Sequence, residues 1–123
     1  MIPKSVRSLR IDINSGQVRK SIAICQQDSI MPTINAMLVE GGKALDLTEV
    51  LWAEIFIHKA DGYEADNGCV IDGESIQYSL HSSDVSAVGI NTAQFQLTYK
   101  DGRVITTPTF EIVVYQKVLD QRV

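Results

Sequence analysis

The feature that most constrains this chain is a run of period-two stretches set apart by turn residues, with no helical spacing between them. Leu9, Ile11 and Ile13 alternate with Arg10, Asp12 and Asn14; Ile76, Tyr78 and Leu80 alternate with Gln77, Ser79 and His81; Ala93, Phe95, Leu97 and Tyr99 alternate with Thr92, Gln94, Gln96 and Thr98. Successive side chains of a strand point to opposite faces, so each stretch makes one dry face and one wet face. Several such strands must cover one another's dry faces. The pattern therefore predicts an all-β fold, an antiparallel immunoglobulin-like β-sandwich.

A chain of 123 residues, 45% of them hydrophobic, is enough for one domain with its own core. The formal net charge of -4 argues against a nucleic-acid partner, which demands a clustered positive face. Arg7, Arg10, Arg19 and Lys20 gather near the start, but Asp12 sits among them, as expected of a solvated strand face. No stretch has the length of a membrane span, so no membrane partner is expected. The opening Met1-Ile2-Pro3-Lys4-Ser5 has no apolar segment of a secretory signal. Asn14, Asn35, Asn67 and Asn91 all lack the glycosylation pattern. The expectation is synthesis in a cytoplasm, with exit only as part of a larger particle. Cys25 and Cys69 are too few for a disulfide framework and read as two reduced, half-buried thiols, although the spacing leaves a single bridge open.

The strands are expected over residues 5–13, 18–25, 33–39, 51–59, 70–71, 75–80, 91–99 and 104–114. Asn14-Ser15-Gly16 reads as a turn, Glu40-Gly41-Gly42-Lys43 as a type I′ hairpin, and Asp72-Gly73 and Lys100-Asp101-Gly102-Arg103 as further hairpins. Residues 44–47 form a short return segment and Thr48-Glu49 a corner. Residues 63–69 are polar and read as an exposed connection. Ser82 or Ser83 is positioned to cap a single helical turn that ends at Gly89. Pro108 lies inside the last run and calls for an edge position or a bulge there. Residues 1–115 are thus expected to form the sandwich, and residues 116–123 a connector or the start of a helical linker.

Candidate chemistry is thin. Gly73-Glu74-Ser75-Ile76-Gln77 lacks the last glycine of a nucleophile elbow and sits in a hairpin rather than at a strand-to-helix turn. His58 and His81 have no close-spaced ligand partner, so a zinc site with Cys25 or Cys69 is not favoured. The carboxylates from Asp61 to Glu74 miss the calcium-loop spacing, because Tyr63 and Ala65 fall at ligand positions. Gly41-Gly42-Lys43 lacks the rest of a phosphate cradle. No catalytic, cofactor-binding or metal-ligating residue is assigned, and no enzyme activity or cofactor is expected.

The aromatics carry more. Trp52, Phe56, Tyr63, Tyr99, Phe110 and Tyr115 are the large rings to place. The simple expectation is that Trp52 plugs the core. The stretch from Leu51 to Ile57 is apolar on both parities, however, and both cannot face one core. Trp52, Phe56 and Tyr115 are therefore the candidate partner-contact residues.

The order of motifs along the whole chain adds a further reading. Gln27-Asp28 in a loop precedes a strand to Leu45-Asp46-Leu47-Thr48 and another ending Lys59-Ala60-Asp61-Gly62. Tyr78-Ser79-Leu80, a turn closing at Gly89, Ala93-Gln94-Phe95-Gln96-Leu97, Asp101-Gly102-Arg103-Val104 and Thr109-Phe110-Glu111-Ile112 then follow. Over residues 5–115 this resembles the N-terminal domain of the upper baseplate proteins of tailed phages and prophages of Gram-positive bacteria. The departure is Gln27, where the pattern has glycine before Asp28. The resemblance implies a non-catalytic β-sandwich of the virion tail, present in several copies as a homo-oligomer. It implies anchoring to the central tail hub and, through a downstream stalk, carriage of receptor-binding proteins. The alternative is a carbohydrate-binding β-sandwich module, which clustered aromatics flanked by Asn, Gln or Asp would favour.

Overall fold

The computed structural model describes residues 6–14 and 20–117. The strands are β1 (Val6–Asp12), β2 (Ser21–Cys25), β3 (Thr33–Glu40), β4 (Lys43–Ala44) and β5 (Val50–His58). They continue with β6 (Glu64–Asp72), β7 (Ser75–Ser79), β8 (Gly89–Tyr99), β9 (Val104–Thr106) and β10 (Phe110–Tyr115), and one 3-10 turn spans Ser82–Val85. The strand order is β1-β3-β7-β6-β5-β8-β10-β2, with β4 beside β3 and β9 beside β8. A single sheet is thus folded over on itself. β6 is the fold line: Glu64 to Cys69 pair with β5, and Val70 to Asp72 pair with β7.

The alternation decides which face is dry. Leu9, Ile11, Ile34, Ala36, Leu38, Ile76 and Tyr78 face inward from one layer. Ile22, Ile24, Ala53, Ile55, Ile57, Ala93, Phe95, Leu97, Phe110, Ile112 and Val114 meet them from the other. Phe95 and Phe110 stack with centroids 5.5 Å apart. Burying each of these large side chains contributes about 2–3 kcal/mol, the driving force that holds the two layers together. At the β3–β4 hairpin Gly41 and Gly42 take φ of +59° and +80°, the paired left-handed conformation that a type I′ turn requires.

The all-β sandwich stands, mostly antiparallel, with several differences from the sequence reading. Two pairings are parallel, β1 with β3 and β10 with β2, because consecutive β1 and β2 lie on the edges of opposite layers instead of forming a hairpin. Residues 63–69 are not a connection but most of β6, whose inward positions Ala65, Asn67, Cys69 and Ile71 are only half-buried. The run from Val104 to Val114 divides at Thr107–Pro108–Thr109, since proline has no N–H to give the ladder. Thr107 bridges the gap: its N–H donates to the Phe95 carbonyl (2.9 Å) and its hydroxyl accepts from the Phe95 N–H (3.0 Å). The 3-10 turn is capped at His81 and not by Ser82 or Ser83; the Asp84 carboxylate accepts the His81 N–H at 2.8 Å. Trp52 is not in the core. The β5–β8 register shifts between Val50 and Trp52, which turns Val50 inward and leaves Leu51 and Trp52 both outside. Ser15-Gly16, the start of the second strand at Val18, and most of the expected connector at residues 116–123 lie outside the described residues.

Candidate docking surface

The layer β6-β5-β8-β10-β2 presents one outer face, and the ladder registers fix its rows. At one end Trp52 lies opposite Thr98, which lies opposite Val104. Trp52 is 48% exposed and Val104 54%. The indole N–H is held by the Glu54 carboxylate at 2.9 Å, which orients the ring without hiding it. At the other end Ile90, Val113 and Ala23 form a row across β8, β10 and β2, with Tyr115 beside Cys25 two positions on. Ile90 is 57% exposed and Tyr115 48%. Neither apolar end is explained by the core, which already fills the inner face of the same strands.

Between the two ends the face is polar and dips. Phe56 stands between Asp66 on β6 and Gln94 on β8, and His58 stands between Glu64 and Thr92. With Thr109 these side chains line an open hollow of about 560 Å³. His58 Nδ1 and Glu64 Oε1 approach to 3.4 Å, both well exposed, an arrangement of little energetic weight. Of the three partner-contact residues expected from the sequence, Trp52 and Tyr115 thus sit at opposite ends of one face, and half-buried Phe56 lies in the hollow between them.

The reactive groups do not converge. His81 stacks on Tyr78 (centroids 5.7 Å apart), away from His58 in the hollow. Cys25 and Cys69 are both free thiols. Burial, then the nearby Glu54 charge, pushes the Cys69 thiol up to about 12, so it stays protonated at neutral pH. Among the described residues no three His, Cys, Asp or Glu side chains gather as metal ligands, and no helix is long and apolar enough to cross a membrane.

Two buried polar networks that the sequence pattern does not reveal brace the fold, the first of them beneath this face. Asn91 is fully buried; its carboxamide oxygen accepts the Ala60 N–H at 2.9 Å, and its nitrogen donates toward the carbonyls of Ala87, Gly89 and Ile112 at 3.1–3.3 Å. It ties the β5–β6 turn to β8 and β10, directly under the Ile90 row. The Tyr78 hydroxyl donates to Asp84 and accepts from Asn67 Nδ2 at 2.9 Å. Burial, and then Asp84, raises the Tyr78 phenol far above its ordinary range. The only signal for Asn91 in the sequence is an amide at an inward parity of β8. Gln27 also has a structural role, because its side-chain oxygen accepts the Lys117 N–H at 2.8 Å and so joins the loop after β2 to the end of β10.

Comparison with known proteins gives this scaffold a family. The family model described as the BppU N-terminal domain matches residues 7–123. The chain belongs to that family, the upper baseplate proteins of tailed phages. Among solved structures, the N-terminal domain of phage TP901-1 ORF48 superposes with a TM-score of 0.71 at 16% identity, covering 92% of this chain and 99% of that one. The likeness at that identity is one of fold. CopC from Methylosinus trichosporium OB3b is a looser neighbour, with a TM-score of 0.48 at 13% identity over 82% of this chain and 89% of that one. No curated protein sequence matches. Family membership makes the chain a structural component of a phage tail baseplate, in a family of virion proteins that contact other tail proteins and not in a known family of enzymes.

Proposed function

We propose that this domain is a docking module: the outer face of β5, β8, β10 and β2 seats against the tail hub, and the chain beyond residue 115 leads to the receptor-binding proteins used in host adsorption. The observation that carries this reading is the pair of exposed apolar clusters, around Trp52 and around Ile90, Val113 and Tyr115, on a sheet whose inner face is already filled. Exposed aromatics on a rigid sheet lose little conformational entropy when covered, and they are the residue types that most often anchor an interface. The polar strip between them, Glu54, Gln96 and Thr106, fixes register instead of adding bulk affinity. Repetition of weak contacts around the tail axis makes the assembly firm. Residues 1–115 act as the docking unit and 116–123 as the connector in this reading. The test is binding of the isolated domain to its own tail hub protein by calorimetry. Trp52→Ala and Tyr115→Ala are each expected to weaken it at least tenfold, about 1.4 kcal/mol or more, as anchor residues do. Unchanged affinity in both would reject the reading.

A second reading has one observation in its favour. Phe56 in the hollow has a carboxylate on one side, Asp66, and a carboxamide on the other, Gln94. An apolar ring flanked by planar hydrogen-bonding groups suits the two-faced surface of a saccharide. Retention on a polysaccharide column that is lost in Phe56→Ala, together with indifference to the hub, would favour a carbohydrate-binding module over the scaffold.

A further inference from the structure

The edge strands of the folded sheet, β1 and β2, are protected unequally. In the parallel β10–β2 ladder the Glu111 N–H donates to the Lys20 carbonyl and the Gln26 N–H donates to the Tyr115 carbonyl. Peptide groups alternate in direction along a strand, so residues 20, 22, 24 and 26 spend theirs on β10 while Ser21, Ala23 and Cys25 aim theirs away from the sheet. Among the described residues the Ser21 and Ala23 peptide groups meet no partner on that side, and the Cys25 carbonyl accepts only the Asp28 N–H at 3.2 Å. Natural edges are usually defended by charge, proline or a bulge. β1 follows that rule: its outward-directed positions include Arg10 and Asp12. β2 does not. Its outward positions are serine, alanine and cysteine, all small and uncharged.

Those positions are also symmetric about Ala23. We propose that β2 pairs antiparallel with β2 of a second copy, about a two-fold axis passing beside Ala23. Each Ala23 N–H then donates to the other Ala23 carbonyl, and each Cys25 N–H donates to the Ser21 carbonyl of the second copy. A two-fold interface places the same patch on both sides, so the pairing closes at a dimer and leaves no β2 edge to propagate. The side chains brought face to face are Ala23 with Ala23 and Ser21 with Cys25, which neither crowd nor repel. The row Ile90–Val113–Ala23 continues across the axis into its copy, doubling the apolar strip at that end of the outer face. A second copy is the occupant favoured over an unrelated strand because the small positions Ser21, Ala23 and Cys25 are self-complementary about Ala23, so one register seats both chains without crowding or like charge. The pairing concerns how copies join one another and stands apart from hub docking.

The experiment uses the full chain. Light scattering behind size exclusion across a concentration series is expected to show a mass rising toward twice 13.6 kDa and falling back on dilution. In the proposed register a Ser21→Cys chain faces the native Cys25 of its partner at a separation a disulfide can span, so mild oxidation should give a covalent dimer; Arg10→Cys on the β1 edge should not. Ala23→Pro removes the central donor without touching the β10 ladder and should hold the chain as a monomer. Ala23→Lys, which keeps the backbone unrestrained, should do the same should the proline variant fail to fold. A monomer at every concentration overturns the proposal. So does a dimer that survives Ala23→Lys, or one that cross-links through Arg10→Cys and not through Ser21→Cys.

Discussion

Replacing Asn91 by alanine tests whether the docking face is held from below. The carboxamide receives one hydrogen bond, from Ala60, and its two protons serve the carbonyls of Ala87, Gly89 and Ile112. That is three protons' worth of bonding by a side chain that is itself fully buried. Each bond contributes about 1 kcal/mol net, so the loss is about 3 kcal/mol. Against a total stability of about 5–15 kcal/mol this is severe yet survivable. For a domain of this size it corresponds to a fall in Tm of roughly 10 °C or more. Urea unfolding followed by far-ultraviolet circular dichroism gives the quantity directly, and the slope against denaturant should be unchanged, because the folded state keeps its compactness. Asn91→Asp keeps the acceptor for Ala60 but loses both donors and buries a charge, and should be no better than the alanine. A loss below about 1 kcal/mol in the alanine variant would show that Asn91 does not brace the face, since one hydrogen bond alone is worth that much.

Other outcomes follow from the same structure. Trp52, 48% exposed and beside the Glu54 carboxylate, should be quenched substantially by neutral acrylamide in the folded protein; near-complete protection on folding would return it to the core. Cys69, held at about 12 against an ordinary 9.0, should carry on the order of a thousandfold less thiolate than a free thiol at neutral pH and resist alkylation until the chain unfolds. Its neutral form is the one the fold favours, so that contribution is intact below pH 9 and is lost as pH rises toward 12; Cys69→Ala should flatten the alkaline limb of the stability curve. Asp46 and Asp101 are shifted the other way. Backbone and side-chain hydrogen bonds from Thr48, and from Arg103, hold their carboxyls below the ordinary 3.8, so their contribution is present above that pH and disappears as pH falls beneath it. Asp46→Asn and Asp101→Asn should each make the acid limb shallower.

The strands that pack densely were legible because their inward side chains are large. Leu9 and Ile11, Ile76 and Tyr78, and Phe95 and Leu97 announce their faces by contrast with the polar residues between them, and all are buried. In β6 only Val70 and Ile71 are legible, from the Asp72-Gly73 hairpin that joins them to β7; residues 64–69 are not, for the converse reason. Their inward members Ala65, Asn67 and Cys69 are small or polar, and Asp66, Asn67 and Gly68 disfavour an extended conformation; the strand exists because β5 offers it a ladder, a tertiary effect that no local pattern reports. Trp52 lies outside the core because it shares its parity with Glu54, Phe56 and His58, opposite inward-facing Ala53, Ile55 and Ile57, and the size of its ring does not outweigh that alternation; the bulge before it changes only the sides taken by Val50 and Leu51. The two-faced apolarity of residues 51–57 nevertheless signalled that something large had to lie outside, and Trp52 and Phe56 both face outward. The Ile90–Val113–Ala23 row leaves no local sequence signal because its members come from three strands distant in sequence and meet only through sheet order.

If the outer face around Trp52 and Tyr115 is where the domain meets the baseplate, removing both rings must abolish most of the binding while leaving the fold alone. The decisive quantity is the affinity of a Trp52→Ala/Tyr115→Ala double variant for the tail hub protein, with circular dichroism and urea unfolding checking the fold. Wild-type stability with binding reduced a hundredfold or more is expected, since two distant anchors acting independently each contribute about 1.4 kcal/mol. A folded double variant that binds the hub as tightly as the parent would place the docking surface elsewhere on the domain.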